Sequence, residues 1–252
     1  MSVGLPVVHL GLIGKPLSHS FSPRYFAEKF AREGLADHRY DLFELADVAD
    51  FPGLLKSTPA LRGLNVTIPY KRSIMPLLDV IDPVAAAVGA VNTISIEDGR
   101  TTGYNTDVDG FRSTLAPLLN GLKPRALVLG SGGASRAVVF VLRELGIKFR
   151  IVSRSRDRGD MTWDLMDPSV VNVCPLIINT TPLGMSPDVH QCPVLPYEAI
   201  GPKHCLVDLV YNPEKTLFLK EGERRGARTL NGLAMLHAQA EASWRIWRKS
   251  VT

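Results

Sequence analysis

Gly130-Ser131-Gly132-Gly133-Ala134-Ser135-Arg136 is the stretch whose residue types speak most directly of chemistry. Gly130 and Gly132 can take backbone angles that other residues avoid, and they put no side chain between the chain and a ligand. An apolar run precedes them, Ala126 to Leu129, and an apolar helical pattern follows to Leu145, where Gly146 stops it. A helix that starts in such a turn aims unpaired N–H groups and a partial positive charge into it, which suits a pyrophosphate. The pattern is G-x-G-x-x-S, with Ser135 where a third Gly or Ala is usual. The same residues could form a tight strand-to-helix turn without a ligand; the strand before and helix after are the context that binding requires.

A second strand, Phe149 to Val152, completes a βαβ unit, and its end selects a cofactor. Dinucleotide sites that hold a free ribose 2′-hydroxyl place an acid about twenty residues past the glycines. Here Ser153-Arg154-Ser155-Arg156-Asp157-Arg158 offers three arginines and two hydroxyls. A guanidinium fork pairs phosphate oxygens two at a time, so the loop suits a 2′-phosphate and hence NADP. Asp157 is the contrary residue, and a solvated basic loop is the alternative.

Two further groups of residues could do chemistry. Ser20 and Ser22 precede an expected helix over 24–32, with Pro23 at its start. Their hydroxyls either cap that helix or hold a carboxylate at its N-terminus. Lys71 follows a short strand (residues 61–68) and Pro69, which fixes the backbone just ahead of it. Such a lysine is ordinarily solvated, and becomes chemically interesting where an acid and a carbonyl substrate meet it. Asp107 sits in Asn105-Thr106-Asp107 at the head of a helix running to about 119, where capping is its simplest role.

The elements that must position these residues alternate strand and helix, an α/β pattern. Strands are expected over 7–14, 40–45, 61–68 and 89–94, the last entering a hairpin at Glu97-Asp98-Gly99. Helices are expected over 46–55 and 74–88, the latter restarting at Asp82-Pro83. Past Arg158 the wound pattern continues with a strand followed by a loop over 176–185, strands over 204–211 and 227–230, a helix over 216–225 and a closing helix from Leu233. Segment 159–175 is short for a helix with its loop and strand start. The domain boundary is expected near residue 105.

Composition bounds the rest. The chain has 252 residues, 45% hydrophobic and 21% charged, with a net charge of +4 and no long Lys/Arg block, so nucleic acid is not indicated. Cys174, Cys192 and Cys205 have no metal-ligand spacing and read as reduced thiols of a cytoplasmic protein; no metal site is expected. No apolar run reaches the roughly 18 residues of a membrane span, and the N-terminus lacks a signal-peptide layout. The cations ending the last helix complement its dipole.

Taken together the motifs resemble the shikimate dehydrogenase family. The resemblance is carried by Ser18-His19-Ser20-Phe21-Ser22-Pro23, Asn65-Val66-Thr67-Ile68-Pro69-Tyr70-Lys71, Gly89-Ala90-Val91-Asn92-Thr93 and Asn105-Thr106-Asp107. It continues through the glycine turn, Asn179-Thr180-Thr181-Pro182-Leu183-Gly184-Met185, Asp208-Leu209-Val210-Tyr211-Asn212-Pro213 and the helix with Met235 and Gln239. Order and spacing hold from about residue 11 to 240.

The resemblance implies an N-terminal α/β substrate domain over 1–105, completed by helix 233–252. It also implies a Rossmann-like doubly wound NADP domain over 106–232, and a cleft between the two. It implies reversible reduction of 3-dehydroshikimate to shikimate by NADPH, in chorismate and aromatic amino acid biosynthesis, by a monomer or homodimer. Lys71 and Asp107 would be the catalytic pair. Ser20, Ser22, Thr67, Asn92, Asp107, Tyr211 and Gln239 would hold the substrate. Gly130, Ser131, Gly132, Gly133, Ala134, Ser153, Arg154, Ser155, Arg158, Leu209 and Gly232 would line the cofactor. The loop reads Ser153-Arg154-Ser155 where the family has Asn-Arg-Thr. Two other readings stand beside this one: a quinate/shikimate dehydrogenase with relaxed NAD/NADP use, and a dinucleotide-binding regulator without catalysis. Keeping both Lys71 and Asp107 argues against the regulator.

The basic loop generates a direct test. Charge-assisted hydrogen bonds contribute about 1.5–3 kcal/mol each. Arg154→Ala is therefore expected to weaken NADP⁺ roughly tenfold to a hundredfold and to leave NAD⁺ nearly unchanged in binding titrations. Equal losses for both cofactors would remove the 2′-phosphate assignment.

Overall fold

The structure, a computed structural model, describes residues 8–18 and 20–249. His19 of the serine motif, Val7 of the first strand and residues 250–252 of the closing helix lie outside the described residues. The chain forms two compact units, Met1–Thr106 with Ala240–Thr252, and Asp107–Gln239.

The first unit is built on β1 (Val8–Gly14), β2 (His38–Glu44), β3 (Leu61–Val66), β4 (Val80–Ile81), β5 (Thr93–Glu97) and β6 (Arg100–Tyr104). Its helices are α1 (Ser22–Glu33), α2 (Phe51–Ser57) and α3 (Pro83–Val88). The sheet order is β2-β1-β3-β5-β6-β4. β1 is buried along its whole length between two parallel neighbours, as its unbroken apolar run requires. β5 and β6 are joined by Asp98 and Gly99, both at positive φ (49° and 79°), the geometry of a tight hairpin turn. Because β5 runs antiparallel to both β3 and β6, the start of β5 and the ends of β3 and β6 fall on one edge of the sheet. Parallel β1 ends there too.

One helical expectation gives way here. Residues 74–81 form a 3₁₀ turn, Met75–Leu77, and then β4, which pairs with β6. Pro76 cannot donate a helical hydrogen bond. The Asp79 carboxylate is held by the Thr101 N–H and hydroxyl at 2.8 Å each, which draws the segment into the sheet. The restart at Asp82-Pro83 stands, with Asp82 capping α3 through the Val84 N–H at 2.9 Å. The helix expected over 46–55 is a 3₁₀ turn at Val48–Asp50 followed by α2.

The last helix, α8 (Leu233–Lys249), belongs to both units by residue range. In the first unit it supplies Ala240, Trp244 and Trp247 to a core with Leu10, Phe26, Phe30 and Tyr40. Phe26 stacks on Tyr40 at 4.5 Å, and Trp247, 1% exposed, donates its indole N–H to Ile94 O at 2.9 Å. The basic end of α8 thus does more than complement a helix dipole, since Trp244 and Trp247 anchor a core.

The second unit holds α4 (Asp107–Leu119), β7 (Ala126–Leu129), α5 (Gly133–Glu144), β8 (Phe149–Ser153), β9 (Met161–Thr162), α6 (Pro168–Val173), β10 (Leu176–Asn179), β11 (Cys205–Asp208), α7 (Leu217–Glu223) and β12 (Arg228–Leu230). All six strands are parallel, in the order β12-β11-β10-β7-β8-β9. Counted from the other edge this is the doubly wound order 3-2-1-4-5-6, which reverses between β7 and β10. The short segment 159–175 does hold a helix. α6 has six residues and is capped by Asp167, which accepts from the Ser169 N–H at 2.7 Å. The structure draws the unit boundary inside α8, after Gln239, rather than at the helix's first residue. The early part of α8 packs on α4, and a Cβ at Gly110 would lie 2.7 Å from Met235 O.

Among the described residues no helix is long and apolar enough to cross a membrane, and no His/Cys/Asp/Glu cluster could hold a metal. Gly63 offers a test of the first core. A Cβ there would sit 2.2 Å from Trp247 Nε1. Gly63→Ala should displace the indole from Ile94 O and destabilise the protein by about 1–3 kcal/mol or more, measured as a lower midpoint in chemical denaturation.

Candidate functional site

In the first unit the predicted residues gather on the edge where β1, β3 and β6 end and β5 begins. Ser20 and Ser22 come from the turn after β1. The N-cap of α1 is Phe21, whose own side chain makes no cap hydrogen bond, and Ser22 is the first helical residue. Ser20 Oγ accepts from the Ser22 N–H, the first of the helix, at 3.4 Å, and the Tyr40 phenol is buried on β2. Burial pushes that phenol well above its ordinary pKa, so Tyr40 stays neutral. Thr67 follows β3, its N–H given to Ile13 O at 2.9 Å. Lys71, half-buried, is fixed through its backbone, because its carbonyl accepts from the Val91 N–H at 2.7 Å. Asn92, 2% exposed, lies just ahead of β5.

A buried polar cluster underlies these residues. Asn65, at the end of β3, accepts from the Tyr40 hydroxyl at 2.8 Å. Its amide donates to Ser243 Oγ at 3.0 Å, Thr93 Oγ1 at 3.2 Å and Asn92 O at 3.3 Å. Ser243 on α8 also hydrogen-bonds Thr93 at 2.8 Å and Thr106 at 3.1 Å. Asn92 Oδ1 accepts from the Thr106 N–H at 2.7 Å, which orients the Asn92 side chain. Ser243 and Tyr40 do not stand out in the sequence, and Thr93 and Thr106 appear only as members of the family motifs. Hydroxyls along a strand, or near the end of a helix, are common on solvated faces, and it takes β2, the paired ends of β3, β5 and β6, and α8 to assemble these.

In the second unit the predicted residues fall on the carboxyl edge of the parallel sheet. Gly130 follows β7 at φ 108°, a left-handed conformation, and a Cβ there would lie 2.9 Å from Thr180 Oγ1 and Thr181 Cγ2. Glycine is therefore required twice over, by conformation and by space. Gly132 is the N-cap of α5, with no side-chain cap, and a Cβ at that position would meet nothing within 4 Å. Ser131, Gly133 and Ala134 complete the turn. An uncapped helix N-terminus beside open space fits a pyrophosphate. Ser135, buried, donates to Gly132 O at 2.8 Å and shapes the turn from inside.

At the end of β8, Ser153 is buried, and its hydroxyl is engaged with the backbone of Ser155, accepting from the Ser155 N–H at 3.1 Å. Its position supports the loop. Arg154, Ser155, Arg156, Asp157 and Arg158 are exposed, the last three on a 3₁₀ turn. Leu209 and Gly232 are brought into close contact, since a Cβ at Gly232 would lie 2.2 Å from Leu209 O, and the Gly232 N–H donates to Val210 O at 3.1 Å. Tyr211 follows, half-buried. Asp107, 5% exposed, opens α4, and Gln239 closes this unit's share of α8. A Cβ at Gly110, one turn along α4, would lie 3.1 Å from Gln239 Cβ.

Residues 12–94, inside the first unit, match the family model described as shikimate dehydrogenase substrate binding domain. The NADP(+) shikimate dehydrogenase of Desulforamulus reducens is 36% identical over 94% of this chain and 88% of its own. That of Moorella thermoacetica is 39% identical over 94% and 87%. The chain belongs to the shikimate dehydrogenase family. A shikimate dehydrogenase of Thermus thermophilus, solved in complex with NADP(H) and shikimate, superposes with a TM-score of 0.84 at 35% identity, covering 95% of this chain and 93% of that one. A quinate dehydrogenase of Corynebacterium glutamicum, solved with NAD, superposes with a TM-score of 0.85 at 29% identity, covering the same shares. The family's substrate-domain and Rossmann-like architecture is the one seen here.

The buried cluster generates a prediction. Ser243→Ala leaves Asn65, Thr93 and Thr106 each short of a partner, a loss of about 1–3 kcal/mol for buried polar groups. Thr93→Val removes overlapping hydrogen bonds, so the double variant should cost clearly less than the sum of the two singles. Additive losses in denaturant melts would show that the cluster does not act as a unit.

Proposed function

We propose that this chain is an NADP-dependent shikimate dehydrogenase, catalysing the reversible reduction of 3-dehydroshikimate to shikimate. The single observation that carries this is a family chain keeping Lys71 and Asn92 on one sheet edge of the first unit and an open, uncapped glycine turn in the second. In this reading the first unit is the substrate domain and the second the cofactor domain. The chain works in the cytoplasm on small-molecule ligands, as a monomer or homodimer.

The substrate is a hydroxylated ring bearing a carboxylate and a ketone. Ser20 and Ser22, at the N-terminus of α1, are assigned its carboxylate. Thr67, Asn92, Asp107, Tyr211 and Gln239 are assigned its oxygens. Asn92 Oδ1 accepts from the Thr106 N–H and hydroxyl, which fixes the orientation of the side chain. NADPH, when bound, supplies a hydride to the carbonyl carbon. The Lys71 ammonium stabilises the negative charge that develops on oxygen and donates the proton that completes the alcohol. Asp107, the other member of the proposed catalytic pair, orients the reacting hydroxyl. Gly130 to Ala134 cradle the pyrophosphate, and Leu209 and Gly232 flank the nucleotide. Arg154 and Arg158, with Ser153 and Ser155 shaping their loop, pair the 2′-phosphate. Asp157, exposed among the arginines, keeps partial NAD use open as a second reading.

Lys71→Ala should lower kcat by about 10²–10⁴-fold, the usual worth of a positioned general acid, with little change in NADP⁺ affinity. Asp107→Asn should lower kcat steeply with the fold intact. If Asp107 only starts its helix, that change would be nearly silent, because Asn caps as well as Asp. Turnover of shikimate by Lys71→Ala within a few-fold of wild type would end this mechanism.

A further inference from the structure

Asp208, the last residue of β11, is a fully buried carboxylate to which the mechanism assigns nothing. It does not stand alone. Oδ1 accepts from Asn179 Nδ2 at 2.9 Å and from the Val210 N–H at 3.0 Å, and Oδ2 accepts from the Thr216 hydroxyl at 2.6 Å. Each donor leads to a different segment. Asn179 ends β10, and its Oδ1 accepts both the N–H and the hydroxyl of Thr181, at 3.0 and 2.6 Å. Thr181 packs on Gly130, in the glycine turn. Val210 follows Leu209, and its carbonyl holds Gly232. Thr216 caps α7.

We propose that Asp208 is a positioning residue for the dinucleotide, its carboxylate fixing Thr181 against the glycine turn and Leu209 against Gly232. This rests on the assignment of the second unit to NADP. Asp208 touches no reacting atom; it acts through Asn179 and Val210. An ionised carboxylate is all acceptor, so it can take three donors from three directions, which no neutral side chain of its size does. Burial is the main cause that pushes this carboxyl up to about 6, against the hydrogen bonds that lower it. The titratable group facing it is the Tyr197 phenol, itself held neutral by burial. Protonation near pH 6 would put a proton among three donors and loosen the set.

The test uses Asp208→Ala and Asp208→Asn in the full chain. Asp208→Ala should weaken NADP⁺ by calorimetry roughly tenfold, the scale of one buried acceptor lost, and raise the KM for NADP⁺ without raising that for shikimate. In the cofactor-free protein the Thr181 and Val210 amides should exchange faster by a similar factor. In wild type both amide resonances should titrate together near pH 6. Asn at 208 keeps the shape and can donate to Thr216 Oγ1, so Asp208→Asn should bind NADP⁺ within a few-fold of wild type at pH 8 and lose that titration. A folded Asp208→Ala with unchanged NADP⁺ affinity and amide exchange would overturn the proposal. If Asp208→Ala does not fold, a Thr181 amide that still titrates near pH 6 in Asp208→Asn overturns it instead. The amide readouts need no cofactor, so a wild type that binds no NADP⁺ would refute the proposed function while the clamp is still judged on exchange and titration.

Discussion

A polar group taken out of water costs free energy unless it finds a partner inside the protein. Asn65 meets that constraint from the end of β3, accepting one hydrogen bond and sharing its two amide N–H groups among three acceptors while 5% exposed. Its partners come from β2, the stretch entering β5, and α8. None can move without stranding another, so the loop ends beside it are positioned from below. The backbone of Lys71 and the side chain of Asn92 take their places from hydrogen bonds of this buried layer.

In the proposed function the two units would hold their ligands with different chemistry. In the second, backbone would meet the ligand's charge. A left-handed glycine, a helix without a side-chain cap and strands all pointing one way leave N–H groups aimed at one spot. In the first, the edge carries hydroxyls, an amide and an ammonium, which suits a ligand recognised oxygen by oxygen. A parallel sheet with its strand ends aligned serves the former. The mixed sheet serves the latter, because reversing β5 brings Asn92 to the edge where β3 releases Thr67.

Much of this is legible in the residues. The apolar run before Gly130 and the helical spacing after it identify the βαβ unit, and Glu97-Asp98-Gly99 identifies the hairpin. The segment from 74 to 81 misleads because its apolar spacing fits a helix, while the deciding interaction, Asp79 with Thr101, joins residues 22 apart. The serines at the start of α1 are legible as chemistry but not as geometry: Phe21 takes the N-cap position and Ser20 Oγ accepts the first helical N–H. Tyr40 and Ser243 leave no local signal, and Thr93 and Thr106 show only as members of motifs, because each becomes significant through partners far along the chain. Trp244 and Trp247 are overshadowed by the cations beside them.

The first unit is closed by residues that follow Gln239, with the whole of the second unit inserted between. During synthesis the ribosome therefore delivers Leu10, Phe26 and Tyr40 long before Trp244 and Trp247, which complete their core. The inserted segment 107–239 contains every strand of its own sheet and can close it while the earlier one still lacks a wall. Domains generally fold as units, N-terminal ones first. Here the order of completion is reversed, and the nascent first unit must keep an apolar face waiting until the final helix emerges.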